Sequence, residues 1–209
     1  MFNKKRQAQL QRKTNEVDIL GQFNLDGSGK TKIDTGFEPL NHLLTLFIFH
    51  GLFDLDLKAK GDLQHHIIED IGIALGKALK ESLGDKQGIR RYGTFSVTMD
   101  KVVVEANIDI SGRPSLAKKI TDNNKAIVDT TLAEDRFDDT TFSFKDAEEF
   151  LEAFIQHSGL SVVYIIKSGE GDLHHLLEAL FKALGKAIDQ ASQIDPRRRG
   201  VPSTKGIID

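Results

Sequence analysis

The chain has no cysteine among its 209 residues. That excludes disulfides, thiolate metal sites and a catalytic thiol. Any metal it binds must be held by nitrogen and oxygen donors. It also lacks a long apolar run. The longest, between Leu43 and Phe53, carries His50 and is too short to span a bilayer. The opening stretch MFNKKRQAQLQRK is polar and has no apolar centre of the kind a signal peptide needs. Nor is there an excess of charge of one sign. With 28 Lys and Arg against 31 Asp and Glu the net charge is −3, which argues against a broad nucleic-acid-binding field but leaves room for a local anion pocket. The expectation is a cytoplasmic protein that takes neither nucleic acid nor membrane as partner; an organelle stays open where a transit peptide has been trimmed. The composition is otherwise that of a globular protein, 39% hydrophobic and 28% charged, long enough for one domain or two fused halves.

What the chain does have, it has twice. HHIIEDIGIALGKAL runs from His65 to Leu79, and HHLLEALFKALGKAI from His174 to Ile188, 109 positions later. Both begin His-His, place Glu three positions after the second His, and contain Ala-Leu-Gly-Lys-Ala. These two pairs use four of the seven histidines. A spacing this long marks a duplicated gene segment and not a solenoid repeat.

The surrounding pattern supports two related halves. Val17, Ile19, Phe23 and Leu25 alternate with polar residues as in a half-buried strand. Asp26-Gly27-Ser28-Gly29 is a turn, and Thr31 to Asp34 a short returning strand. Phe37 to Phe53 reads as an apolar helix with His42 and His50. Leu55, Leu57 and Ala59 alternate as a third strand before the first His-His helix. In the second half, Tyr92 to Met99 and Val102 to Ile110 are strands rich in β-branched residues. Arg113 to Phe144 is polar and the least ordered part. A helix over Asp146 to His157 and a strand over Leu160 to Ile166 precede the second His-His helix, which runs to about Gln193. The expected class is α+β, two β-β-α-β-α halves with helices on one face of the sheets. The halves span 1–86 and 87–195, and 196–209 is a loop-like tail.

At about 100° per residue, Ile67, Ile68, Ile71, Ala74, Leu75 and Ala78 form one apolar stripe on the first helix. His65, His66 and Glu69 fall off it. On the second helix His174, His175 and Glu178 lie opposite Leu176, Leu177, Ala183 and Ala187, with Lys182 beside them. His65 and Glu69 are four apart and can share one metal; so can His174 and Glu178. His66 and His175 point about 100° away and serve another. Two such helices facing each other make a two-metal cluster. Imidazole mixed with carboxylate suits Mn, Fe, Co, Ni or Zn, not Mg or Ca. Because this face lies off the protomer's core, the cluster is expected between subunits. Candidate anion-binding groups are Arg91 in GIRRYG, Arg113 in SGRP, Lys182, and Ser203, Thr204 and Lys205 in PSTKG. A guanidinium fork suits a phosphate better than a lone ammonium. The run Arg197-Arg198-Arg199 reads as a solvated tail.

Taken together, RKTNE (12–16), NLDGSG (24–29), DTGF…NHLL (34–44), FHGLFDL (49–55), the two His-His segments, GI.RYG (88–93), D.SGRP (109–114) and PSTKG (202–206) resemble the imidazoleglycerol-phosphate dehydratase family over nearly the whole chain. The resemblance implies a ribosomal protein S5 domain 2-like fold. It implies dehydration of D-erythro-imidazole-glycerol 3-phosphate to imidazole-acetol phosphate in histidine biosynthesis, with two Mn ions per site and a 24-subunit assembly of trimers. One metal would take His42, His66, His174 and Glu178; the other would take His65, Glu69, His175 and a strand histidine. Glu16 would move protons at carbon, with Glu69 and Glu178 as further catalytic carboxylates. Arg91, Arg113, Lys182, Ser203, Thr204 and Lys205 would hold the phosphate, and His50 would line the pocket. No carbonyl acidifies the C–H to be lost, so electrons must come from a metal-held imidazolate, which is Lewis-acid chemistry.

Four features depart from the family pattern. About three residues are missing before the first pair, so Gln64 abuts His65. The strand histidine's place falls at Val163, which impairs one metal site unless water, a neighbouring chain or His157 replaces it. Pro-Met-Asp-Glu has become Thr98-Met99-Asp100-Lys101. Gly169-Glu170-Gly171-Asp172-Leu173 is one residue longer than usual. The alternative to a divergent enzyme is a non-catalytic or altered-specificity paralogue that keeps the fold and assembly.

Overall fold

Alternating burial defines the strands, and one-sided apolar stripes define the helices. The computed structural model describes residues 5–121, 125–138, 140–169 and 172–208. In order these form β1 (Gln7–Lys13), β2 (Val17–Asn24), β3 (Thr31–Asp34), α1 (Glu38–Gly51), β4 (Asp54–Gly61), α2 (Gln64–Leu83), β5 (Tyr92–Met99), β6 (Val102–Asp109), β7 (Ser115–Ile120), α3 (Lys125–Glu134), α4 (Phe144–Ser158), β8 (Ser161–Gly169) and α5 (Leu173–Ser192). In β2, Val17, Ile19 and Phe23 are buried while Asp18, Leu20 and Gln22 are exposed. Such a strand covers a core with one face only. The start of α4 is fixed by a capping box in which Ser143 and Asp146 each bond the other's backbone N–H. Asp172 caps α5 by accepting from the N–H of His175 at 2.9 Å.

The two halves share one topology. The first sheet has the order β1-β2-β4-β3 and the second β5-β6-β8-β7. In each, the last pair is parallel and the others antiparallel. Helices cover one face of each sheet, α2 against β1 and β2, α5 against β5 and β6. Across the halves α2 packs on α4 and α1 on α5. One buried apolar cluster therefore runs through both halves.

The duplicated α+β architecture is as expected, and four details differ. Each half opens with two antiparallel strands, so β1 and β7 are additions to the expected order. Thr31 to Asp34 is a strand, but it pairs in parallel with β4 and does not return along β2. The stretch 113–144 holds β7 and α3, with residues 122–124 and 139 outside the described set. The repeat distance is also not constant. Val17 of β2 corresponds to Val102 of β6, 85 positions on, whereas the His-His helices are 109 apart. The segment carrying α3, inserted between β7 and α4, accounts for most of the difference.

Candidate metal centre

Two helices from opposite halves bring three ligand-type side chains together. His42 projects from α1, and His174 and Glu178 from successive turns of α5. His42 Nε2 donates to Glu178 Oε1 at 2.7 Å, and His174 Nε2 donates to the same oxygen at 3.0 Å. The three ligand atoms lie within 4.8 Å of one another, the only such group of His, Cys, Asp or Glu among the described residues. Two imidazole nitrogens and a carboxylate oxygen are a fitting donor set for a first-row divalent ion.

Glu178 departs from the expectation of an outward face: it is only 6% exposed. The helical wheel places it off the stripe of α5, but α1 lies over that flank and closes it. Burial opposes ionisation of Glu178. Hydrogen bonds from Lys182, His42 and His174 outweigh that, and its pKa falls to about 2. Lys182 holds the second oxygen, Oε2. His50, one helical stretch along α1, is pushed toward the neutral form by burial and by Lys182 and Lys186.

His174 has partners on its other side. Its Nδ1 donates to Asp138 Oδ1 at 2.8 Å, and Phe137 stacks on its ring at 4.4 Å and 13°. Burial lowers the proton affinity of His174, but Asp138 and Glu178 raise it above the ordinary value. Neither Phe137 nor Asp138 was marked by the sequence. They sit in the polar stretch before α4, and no spacing ties them to the histidine pairs.

The remaining candidates stand apart from this cluster. His66 Nδ1 donates to Asp62 Oδ1 at 2.7 Å and lies 3.9 Å from Glu16 Oε2. Glu16 is carried by the β1–β2 turn, where Thr14 Oγ1 accepts the N–H groups of Glu16 and Val17. Arg12, on the same hairpin, pairs at 2.7 Å with Asp70, a buried carboxylate of α2, and so ties the hairpin to the first His-His helix. His175 turns away from His174 and meets Asp172 at 2.9 Å and Asp100 at 3.2 Å. His65 and Glu69 line a cavity of about 640 Å³ with Glu149, Glu152 and His157.

Internal symmetry shows what that second place lacks. A Cβ on Gly185 would lie 2.4 Å from the Phe47 carbonyl oxygen, and one on Gly76 would lie 2.5 Å from that of Phe154. Gly76 and Gly185 are 109 apart, so Phe154 corresponds to Phe47 and Glu149 to His42. Where the first site has a histidine, its counterpart has a glutamate. On α4, His157 packs against Gly76, eleven residues along α2 from His65. Val163 is half-buried on the outer face of β8, paired with Asn107 and Ala117. Glu170 and Gly171 lie outside the described residues.

Among the anion-binding candidates, the Arg91 fork is already engaged. Nε and Nη2 donate to Asp109 at 2.7 and 3.1 Å, and Nη1 donates to the Pro202 carbonyl at 3.0 Å. Arg91 thus fastens the C-terminal tail beside itself, a role that the sequence did not reveal. The tail is held further by the Gly88 N–H, which donates to the Gly200 carbonyl at 2.9 Å. Arg113, Thr204 and Lys205 are exposed and Ser203 is half-buried.

A duplicated four-stranded scaffold with imidazoles and a carboxylate converging between α1 and α5 defines an α+β protein with a candidate metal site between its halves. The sequence profile of imidazoleglycerol-phosphate dehydratase matches residues 35–188. The chain belongs to the imidazoleglycerol-phosphate dehydratase family. It is 46% identical to the Pelobacter propionicus imidazoleglycerol-phosphate dehydratase over 97% of this chain and 99% of that one. It is 48% identical to the Clostridium novyi protein of the same name over 94% and 95%. The crystal structure of the Staphylococcus aureus imidazoleglycerol-phosphate dehydratase superposes with a TM-score of 0.77 at 34% identity, covering 90% of this chain and 99% of that one. No helix among the described residues is long and apolar enough to cross a membrane.

Proposed function

We propose that this chain is an imidazoleglycerol-phosphate dehydratase, a lyase of histidine biosynthesis, and that His42, His174 and Glu178 hold one divalent cation, Mn, for that reaction. The observation that supports the metal reading is the convergence of His42 Nε2 and His174 Nε2 on one buried oxygen of Glu178. When bound, such a cation would supply Lewis-acid chemistry, favouring the deprotonated form of the substrate imidazole from which the hydroxyl can be expelled. The protein groups do the rest. Lys182 keeps Glu178 ionised and its carboxylate fixed. Glu16 moves the proton at the substrate carbon as general base and then acid. His50, held toward neutrality, lines the pocket without adding charge. Arg113, Ser203, Thr204 and Lys205 take the phosphate, and Arg91 holds the tail that carries three of them.

His66 completes the first ligand set from a neighbouring subunit. His65 and Glu69 meet His175 of another copy to form the second set, in which Val163 provides no ligand. The assembly is the 24-subunit one of trimers, in the cytoplasm. The test is metal content of Mn-loaded protein by elemental analysis, together with dehydration of imidazole-glycerol phosphate. Turnover with at least one equivalent per chain supports the reading. Absence of both metal and turnover overturns it and leaves a paralogue on the same scaffold.

A further inference from the structure

We propose that Asp138 is a positioning residue for His174: from the segment before α4 its carboxylate holds the Nδ1 proton and so presents Nε2 to the site shared with His42 and Glu178. The inference rests on the metal reading above and concerns how one ligand is oriented. Two contacts fix the imidazole. The Phe137 stack sets the ring plane, and the hydrogen bond from Nδ1 to Asp138 at 2.8 Å sets the rotation within that plane. A flipped ring would put a carbon against the carboxylate. An ionised carboxylate only accepts, so Nδ1 keeps its hydrogen and Nε2 is the nitrogen left for a metal. Outer partners of this kind fix the tautomer and orientation of a ligating histidine.

The segment is braced for the task. Phe137 and Phe142 are 4% and 1% exposed. The Phe137 N–H donates to the Phe142 carbonyl at 2.8 Å, and both the N–H and the hydroxyl of Thr140 donate to the Phe137 carbonyl. Phe142 packs on Phe37 at the base of α1, the helix of His42. Asp138 itself has φ +50°, a left-handed position that Asp tolerates. The Thr141 hydroxyl donates to Gln64 Oε1 at 3.3 Å, next to His65, so the segment touches both His-His helices. The same device recurs locally: His66 Nδ1 meets Asp62 and His175 Nδ1 meets Asp172, each carboxylate within four residues of its histidine. For His174 the partner is 36 positions away, and the segment before α4 delivers it.

The experiment titrates Mn(II) into chelator-stripped full-length protein and follows free Mn by electron paramagnetic resonance. Asp138→Gly keeps the backbone conformation and deletes the carboxylate. Asp138→Asn keeps an acceptor oxygen and the backbone conformation but removes the charge. We expect the Gly variant to bind Mn about 10- to 100-fold more weakly, with the Asn variant between it and wild type. In Zn-loaded, nitrogen-15-labelled protein the His174 Nδ1 proton should be slow to exchange in wild type and fast in the Gly variant. Wild-type affinity and an unchanged His174 signature in Asp138→Gly overturn the proposal. If His174→Ala abolishes binding while Asp138→Gly does not, only the role of Asp138 falls. If wild type itself binds no Mn, the metal reading falls and takes this inference with it.

Discussion

Glu178 sits where burial works against its charge and three donors work for it. Its ionised form is therefore coupled to folding. Because its folded-state pKa lies near 2, below the ordinary 4.5, the stability it contributes is fully present above pH 4.5 and is lost as pH falls toward 2. In chelator-treated protein, urea midpoints of wild type should fall steeply between pH 4.5 and about 2. Those of Glu178→Gln should fall less, because the group that takes up the proton is gone. Equal slopes would show that Glu178 is not the coupled carboxylate. Val163 carries a second expectation. It is half-buried on an outer sheet face, so a larger side chain there meets solvent and not core. Val163→His should fold as wild type and raise the Mn content of the assembled protein by about one equivalent per chain, a fourth ligand completing a three-ligand set. Unchanged stoichiometry would remove Val163 from the metal account. At this scale the sequence was informative wherever spacing carried meaning. The two His-His-x-x-Glu segments separate their ligands as i and i+4 geometry requires, with His174 and Glu178 in contact and His175 turned away. Asp138 and Phe137 were invisible because they reach His174 only through the fold.

Helices set the distances that those residues need. Gly185 lets α5 approach the Phe47 carbonyl of α1 to within 2.4 Å of where a Cβ would be, and His42 lies five residues before Phe47 on the same helix. Gly185→Ala must push α1 outward by about 1 Å to restore ordinary contact, at about 1–3 kcal/mol. We expect weaker Mn binding as well, since His42 moves with α1. Gly76→Ala, the matched change at the α2–α4 contact, should cost similar stability and leave Mn affinity at the His42 cluster unchanged. Urea unfolding and Mn titration of both variants check this. Equal affinity in the two would separate the helix contact from the site. The same scale shows why two strands escaped the sequence. β1 and β7 are edge strands. β1 buries only Ala8 and Leu10 among glutamines and basic residues, and Ser115–Ile120 buries none of its residues fully. An edge strand needs one partner and little apolar surface, so alternation is weak where the hydrogen-bonding edge of a neighbour does the ordering. The central strands β2, β4, β6 and β8, buried on one face by helices, were legible for the opposite reason, and the edge strands β3 and β5 were read from the turn before one and the β-branched residues of the other.

In the whole molecule the duplication produces two places of the same design and fills only one within the chain. His42, His174 and Glu178 meet across α1 and α5. The matching place holds His65, Glu69 and Glu149, while His66 Nδ1 meets Asp62 and His175 meets Asp172 and Asp100. A ligand that the chain displays but does not use is explained if another copy of the chain uses it, and closed symmetric assemblies provide every copy with the same neighbour. This predicts complementation between inactive variants. His66→Ala and His174→Ala should each abolish dehydration when assembled alone. Dissociated, mixed in equal amounts and reassembled, they should recover about a quarter of wild-type activity, because a site drawing His66 from one subunit and His174 from another is intact in one random pairing of four. If both ligands came from the same subunit, every subunit in the mixture would carry one defect and no activity would return. Mixed reassembly followed by a dehydration assay reads the difference directly.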